Sequence, residues 1–249
     1  MNNSTLLFFL FLFTGCTQYG QLQPITELPK KLGENSGITT IDGATAWFIE
    51  DSGNQDKMYQ VDLNGKLLKE LKVKNAKNKD WEDLAKDSLG NVYIGDFGNN
   101  ENKRKDLVIY KVPNPENEKG DHISAEAIRF HYPEQKKFPP KKGKRHYGSE
   151  AFFYYKDSLY IITKNRARPF TGEAFIYKIP AKKGNYEAMQ VGSFISCTKT
   201  GSCEITSADI SPNGKKIALI SNRKLWLFTD FTLDDFSKGT LNTLSLIHI

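Results

Sequence analysis

Four short apolar runs recur along this chain, each leading into a turn that ends in asparagine. They are Ala46 to Glu50 (AWFIE), Val92 to Gly95 (VYIG), Leu159 to Ile162 (LYII) and Ile217 to Ile220 (IALI). The asparagines are Asn54, Asn99, Asn165 and Asn222, spaced 45, 66 and 57 residues apart. A second run with an aromatic near its start follows each turn, at Tyr59, Tyr110, Tyr177 and Trp226. A third column precedes each run: Gly37-Ile38, Asp83-Leu84, Glu150-Ala151 and Asp209-Ile210, separated by 46, 67 and 59 residues, so the columns drift together to within two. Runs of this length, β-branched or aromatic and bounded by Gly, Asn, Asp and Pro, read as strands, and helix-period patterns are scarce. Several strands per unit, repeating every ~40 to 50 residues, predict an all-β fold of the β-propeller type. About four blades are visible, and the longer spacings are taken up by insertions.

The two ends read differently from the repeats. Leu6 to Phe13 (LLFFLFLF) is eight apolar residues long, far short of the roughly 20 that span a bilayer as a helix. That length fits the core of a signal peptide. Thr14-Gly15-Cys16 follows it and resembles the lipobox of bacterial lipoproteins, which implies cleavage before Cys16 and a lipid on its thiol. The leader lacks Lys and Arg, and Phe13 stands where Leu is usual in that motif. Cys197 and Cys203 remain, six apart in a turn-like stretch. In an oxidising compartment they close a small disulfide; otherwise they are two free thiols. The last six residues, Leu244 to Ile249 (LSLIHI), are what a sequencing-transposon end read in frame would encode, or else an edge strand. The expected organisation is a lipoprotein signal peptide over 1–15 and a lipidated tether with a possible ring-closing strand over 16–35. Blades follow over 36–243, and adapter read-through over 244–249.

The segment from Asp87 to Asn99 (DSLGNVYIGDFGN) resembles an NHL-type blade, in which a D-x-x-G-N turn leads into a strand ending in D-x-G-N. With WEDLAKD, GSEAFF, LYIITKN and ADISPNGKKIAL, the stretch from Ser36 to Phe231 resembles bacterial secreted lipoprotein β-propellers related to the NHL-type and six-bladed phytase-like groups. The resemblance implies a six-bladed ring of which this chain would be a C-terminally truncated part, an open arc with exposed edges. It is informative about fold and says little about chemistry. The fourth copy has lost the acid and Gly of the D-x-G-N turn.

Charge narrows the partners. Lys and Arg number 35 against 29 Asp and Glu, a net +6, and Gln135 to Arg145 (QKKFPPKKGKR) alone holds six basic residues and no acid. One proline-broken basic loop, with no aromatic-interleaved basic face, excludes nucleic acid as the expected partner. The expected location is the bacterial cell envelope, with the membrane reached through the lipid.

The innermost strand of each blade lines the channel, so Asp83, Glu150 and Asp209 are expected to converge there as ligand-binding carboxylates. Three such groups repel unless a cation neutralises them. With Asn99 and Asn165 nearby they would suit Ca²⁺, a hard ion that takes oxygen ligands. Metal ions in the channels of phytase-like and lactonase propellers point the same way by resemblance. The alternative is that these acids accept backbone hydrogen bonds from a neighbouring blade. Asp51, Asn54, Asp96 and Asn99 read as turn formers, with Gly supplying positive φ. Among them Asp96 also stands as a ligand-binding candidate. Lys164, Arg166 and Arg168 offer cations for an anionic group.

There is no G-x-S-x-G, H-E-x-x-H or Walker A sequence, and His146 is the one candidate for acid-base catalysis. Three functions follow: an envelope propeller that binds a ligand or protein partner on its channel face, a Ca²⁺-dependent phytase-like or lactonase-like hydrolase, and a structural scaffold.

Overall fold

A computed structural model describes residues 20–21, 23–198 and 203–247. Cys16 and its leader, and the last two residues, lie outside these. The described chain starts with β1 (Gly20–Gln21). The first blade is β2 (Asn35–Thr39), β3 (Thr45–Glu50), β4 (Lys57–Asp62) and β5 (Leu67–Lys74), each antiparallel to the next. The second opens with β6 (Trp81–Lys86), β7 (Val92–Asp96) and β8 (Leu107–Val112); β9 (His122–Ser124) then crosses to pair parallel with β5, and β10 (Glu126–His131) completes the blade. The third is β11 (Gly148–Tyr155), β12 (Ser158–Lys164) and β13 (Glu173–Pro180), then β14 (Gly184–Glu187), which pairs parallel with β10, and finally β15 (Met189–Ile195). The fourth is β16 (Ser207–Ile210), β17 (Ile217–Ile220), β18 (Lys224–Thr229) and β19 (Thr240–Ile247), with β1 parallel to β19.

This is an all-β propeller of four blades, with four short 3-10 turns among the described residues. The three sequence columns fall on the first, second and third strand of every blade. Strands β9, β14 and β1 each cover the outer edge of a blade, which caps unpaired backbone groups, and β9 and β14 thereby tie successive blades together. Within 16–35, where a ring-closing strand is expected, Gly20–Gln21 pairs with β19 and residues 23–34 form no strand.

Both faces of a blade are buried, so neighbouring residues on one strand serve two cores. Trp47, Ile49 and Trp81 pack between the first and second blades. Phe97, Phe152 and Tyr177 pack between the second and third, with the Phe97 and Phe152 rings edge to face at 5.3 Å. Phe153, Trp226 and Phe228 pack between the third and fourth. Phe48 and Tyr59, on the outward face of the first blade, are covered by Leu28 and Leu32. Among the described residues no apolar cluster joins the first blade to the fourth.

Turn chemistry supports the register. In Asp87-Ser88-Leu89-Gly90-Asn91 the Asp87 carboxylate accepts the Leu89 and Asn91 amides at 3.0 and 2.9 Å, while Gly90 takes a φ of 80° that side chains disfavour. Because the strands alternate in direction, the loops between second and third strands and the connections between blades share one end of the propeller. That end carries Asp51, Asp80, Asn99, His146 and Lys164.

Candidate functional site

The first strand of each of three blades contains one extra residue at this end. The ladder steps from Asn35 to Gly37, from Trp81 to Asp83 and from Ser149 to Ala151, leaving Ser36, Glu82 and Glu150 as bulged residues. A bulge re-aims the side chain it carries. Ser36 turns its hydroxyl to the Trp81 carbonyl at 2.9 Å. Glu82 and Glu150 are therefore equivalent positions.

This corrects the expected convergence of Asp83, Glu150 and Asp209. Asp83 shares its register position with Gly37 and Ala151, opposite Gly95, Ile49 and Ile162 in turn. Its side chain is 1% exposed. It accepts the Leu84 amide at 2.9 Å, the Phe152 amide at 3.3 Å, the Ser207 hydroxyl at 3.0 Å and the Ala208 amide at 3.3 Å. Burial pushes the carboxyl up, against these four hydrogen bonds. Asp209 lies further along β16, is exposed, and accepts the Ile210 amide at 2.8 Å. Glu150 is ion-paired with Lys164, and with Arg166 at 3.5 Å.

The carboxylates that do converge are Asp51 after β3, Asp80 before β6, and the bulged Glu82, each with an oxygen within 4.8 Å of the others. Glu82 is 8% exposed and has neither a hydrogen-bond donor nor an ion-pair partner among the described residues. Burial, and then the charges of Glu150, Asp80 and Asp51, raise its carboxyl well above the ordinary range. Burial and Asp51 raise that of Asp80. Gly98 forms the floor: a Cβ there would lie 2.2 Å from Glu82 Oε1 and 2.3 Å from Asp80 Oδ2.

Asp96 sits behind this group, completely buried. Its Oδ1 takes the Asp80 amide at 3.1 Å and the Arg104 guanidinium at 2.9 Å, while Oδ2 has no partner. Burial raises its carboxyl to about 6 although Arg104 opposes the shift. Asn99 is a buried loop pin whose Oδ1 accepts the Arg104 amide at 2.9 Å. Arg166 also reaches Asn100 Oδ1, with Nε at 2.9 Å.

His146 stands apart from the acids: its Nδ1 is 2.9 Å from the Asn165 amide nitrogen and its ring centroid 5.0 Å from that of Phe175. Asn165 Oδ1 in turn accepts the Ala167 amide at 3.1 Å. Cys197 and Cys203 are disulfide-bonded, with Cα atoms 6.0 Å apart. Asp80 and Glu82 were not candidates from sequence, although Glu82 sits beside Asp83 in WEDLAKD and 68 residues from Glu150, close to the repeat spacing.

Blade topology and a carboxylate cluster at one end define the class: a β-propeller with an acidic group at its loop-bearing end. No family model and no curated protein matches the chain. Among solved structures it is similar to a catalytically inactive virginiamycin B lyase from Staphylococcus aureus, determined with quinupristin, at 14% identity and a TM-score of 0.42, over 84% of this chain and 55% of that one. It is also similar to a gluconolactonase from Xanthomonas campestris, at 10% identity and a TM-score of 0.47, over 85% of this chain and 62% of that one. The chain thus spans less than two thirds of the length of either.

Proposed function

We propose that this propeller binds a divalent cation, Ca²⁺ by its donor chemistry, through Asp51, Asp80 and Glu82, and uses that ion to hold a ligand at its loop-bearing end. The observation that carries the reading is Glu82, a residue nine-tenths buried with no ion-pair partner among the described residues, its carboxylate pressed against two further acids over a glycine floor. Such a cluster repels itself, and a hard cation with oxygen ligands relieves it. Lys164 and Arg166, already paired to Glu150, would attract an anionic group of the ligand towards the ion. The remaining coordination positions of Ca²⁺ would be open to ligand oxygens.

Thermal melting with Ca²⁺ and with EDTA tests this. Ca²⁺ at about 100 times its dissociation constant should add about 2.7 kcal/mol of stability. Glu82→Gln should melt close to the parent in EDTA, since the raised Glu82 carboxyl is already protonated without the ion, and should lose the Ca²⁺ gain. A parent protein indifferent to Ca²⁺ would sink the reading.

The same proposal includes a lipid anchor on Cys16 at the bacterial envelope. The apolar leader before Thr14-Gly15-Cys16 supports it, as does a disulfide suited to an oxidising compartment. Mass spectrometry of the mature N-terminus would decide it: an unmodified thiol at Cys16 removes the anchor.

A further inference from the structure

The connection from β10 to β11 carries the basic loop, and its backbone is pinned at both ends. The Gln135 amide donates to the Tyr132 carbonyl at 3.1 Å and its side chain to the Asn102 carbonyl at 2.8 Å. The Lys144 amide donates to the Lys141 carbonyl at 2.8 Å. From the β12–β13 loop, the Arg168 and Arg166 amides donate to the carbonyls of Lys142 and Arg145 at 3.0 and 2.9 Å. Pro139 and Pro140 remove further backbone freedom.

On this frame Lys136, Lys137, Lys141 and Lys144 line one cavity of about 330 Å³, together with Tyr147 and a single carboxylate, Glu134. None of the four lysines has an ion-pair partner among the described residues. Elsewhere Lys31 and Lys57 share Glu70, Lys79 meets Asp106 and Lys111 meets Asp87, while further exposed lysines among the described residues, such as Lys66 and Lys72, stand singly. Glu134 is itself occupied, accepting the Tyr177 hydroxyl at 3.2 Å. Like charges gathered round a concavity repel, and a free loop would relieve this by splaying. A pinned one holds the charges together, which is the preorganisation that a charged ligand rewards.

We propose that this cavity is a binding site for a small multivalent oxyanion of the oligophosphate or polycarboxylate kind. Its volume is that of a small-molecule site. Lysine ammoniums act as point charges with three donors each, so the site selects clustered negative oxygens rather than one planar group. It shares no residue with the Asp51, Asp80 and Glu82 group, and the inference stands whether or not that group binds a cation.

The test is calorimetric titration of the full chain, freed of metal over a chelating resin, with inorganic tripolyphosphate and separately with citrate. Tripolyphosphate alone saturating one site assigns the oligophosphate kind, and citrate alone the polycarboxylate kind. Affinity should fall roughly tenfold or more between about 50 and about 200 mM salt, as exposed charges are screened. It should fall at least roughly tenfold in the Lys137→Gln/Lys141→Gln double variant, rise in Glu134→Gln, and stay unchanged in Glu82→Gln. The Glu134→Gln variant guards against misfolding, because a damaged protein would not bind more tightly. Absence of binding by both anions, full binding by the double variant, or binding of long polyanions that tripolyphosphate does not displace would each overturn the proposal.

Discussion

Asp83 on the first strand of the second blade accepts the hydroxyl of Ser207 on the first strand of the fourth blade at 3.0 Å, reaching past the first strand of the third. The same carboxylate takes the Phe152 amide from that intervening strand and the Ala208 amide beyond it. One side chain thus closes hydrogen bonds among three blades around the axis. In Asp83→Asn, one oxygen becomes an amide nitrogen that faces N–H donors, leaving at least one buried donor unmet at a cost of about 2 to 3 kcal/mol. Urea unfolding should show this loss, and the variant should keep its response to Ca²⁺, since Asp83 holds blades and not the ion. A loss under about 1 kcal/mol would contradict the bracing role.

Gly98 should be intolerant for a steric reason. Its φ lies outside the left-handed region, yet a Cβ would collide with Glu82 and Asp80. Gly98→Ala must push those carboxylates apart, so Ca²⁺ affinity should drop roughly tenfold or more, with stability lowered by about 1 to 3 kcal/mol. Gly53 makes the contrast: φ is 84° and nothing lies within 4 Å of its would-be Cβ. Gly53→Ala should cost only the backbone strain, about 1 kcal/mol. Calorimetry on the two variants separates the cases, and wild-type Ca²⁺ affinity in Gly98→Ala would refute the crowding argument.

Those glycines show how far the sequence could be read. Both belong to D-x-G-N turns, for which a positive φ is the natural expectation. Gly53 meets it, and Gly98 instead leaves room for side chains from elsewhere in the chain. The second and third strands of every blade were legible because apolar runs, aromatics and turn residues are local signals. The first strand was legible in position but not in register, since a bulge adds a residue that no periodicity announces. That shift aligned Asp83 with Glu150, when the bulged Glu82 is its counterpart. Asp51 and Asp80 lie on separate connections, and only the packing of the first two blades brings them together. The crossed strands β9 and β14 are likewise fixed by tertiary pairing, which short runs in sequence cannot reveal.

His146 gives the chain a pH dependence of defined sign. Burial lowers its pKa, against the charge of Glu173 and backbone hydrogen bonds at Gly143 and Glu173. The unfolded chain takes up a proton as pH falls through about 6.5, while the folded protein resists it. The stabilisation from neutral His146 is therefore complete above that pH and is lost as pH falls towards the folded value. His146→Gln keeps a polar side chain at this position and cannot titrate. Melting curves recorded from pH 7.5 down to pH 5 should fall less steeply for His146→Gln than for the parent. Carboxylates and the exposed histidines contribute equally to both proteins, so the difference in slope isolates this one side chain. Parallel curves would show that His146 is protonated as readily folded as unfolded, and that its burial does not hold it neutral.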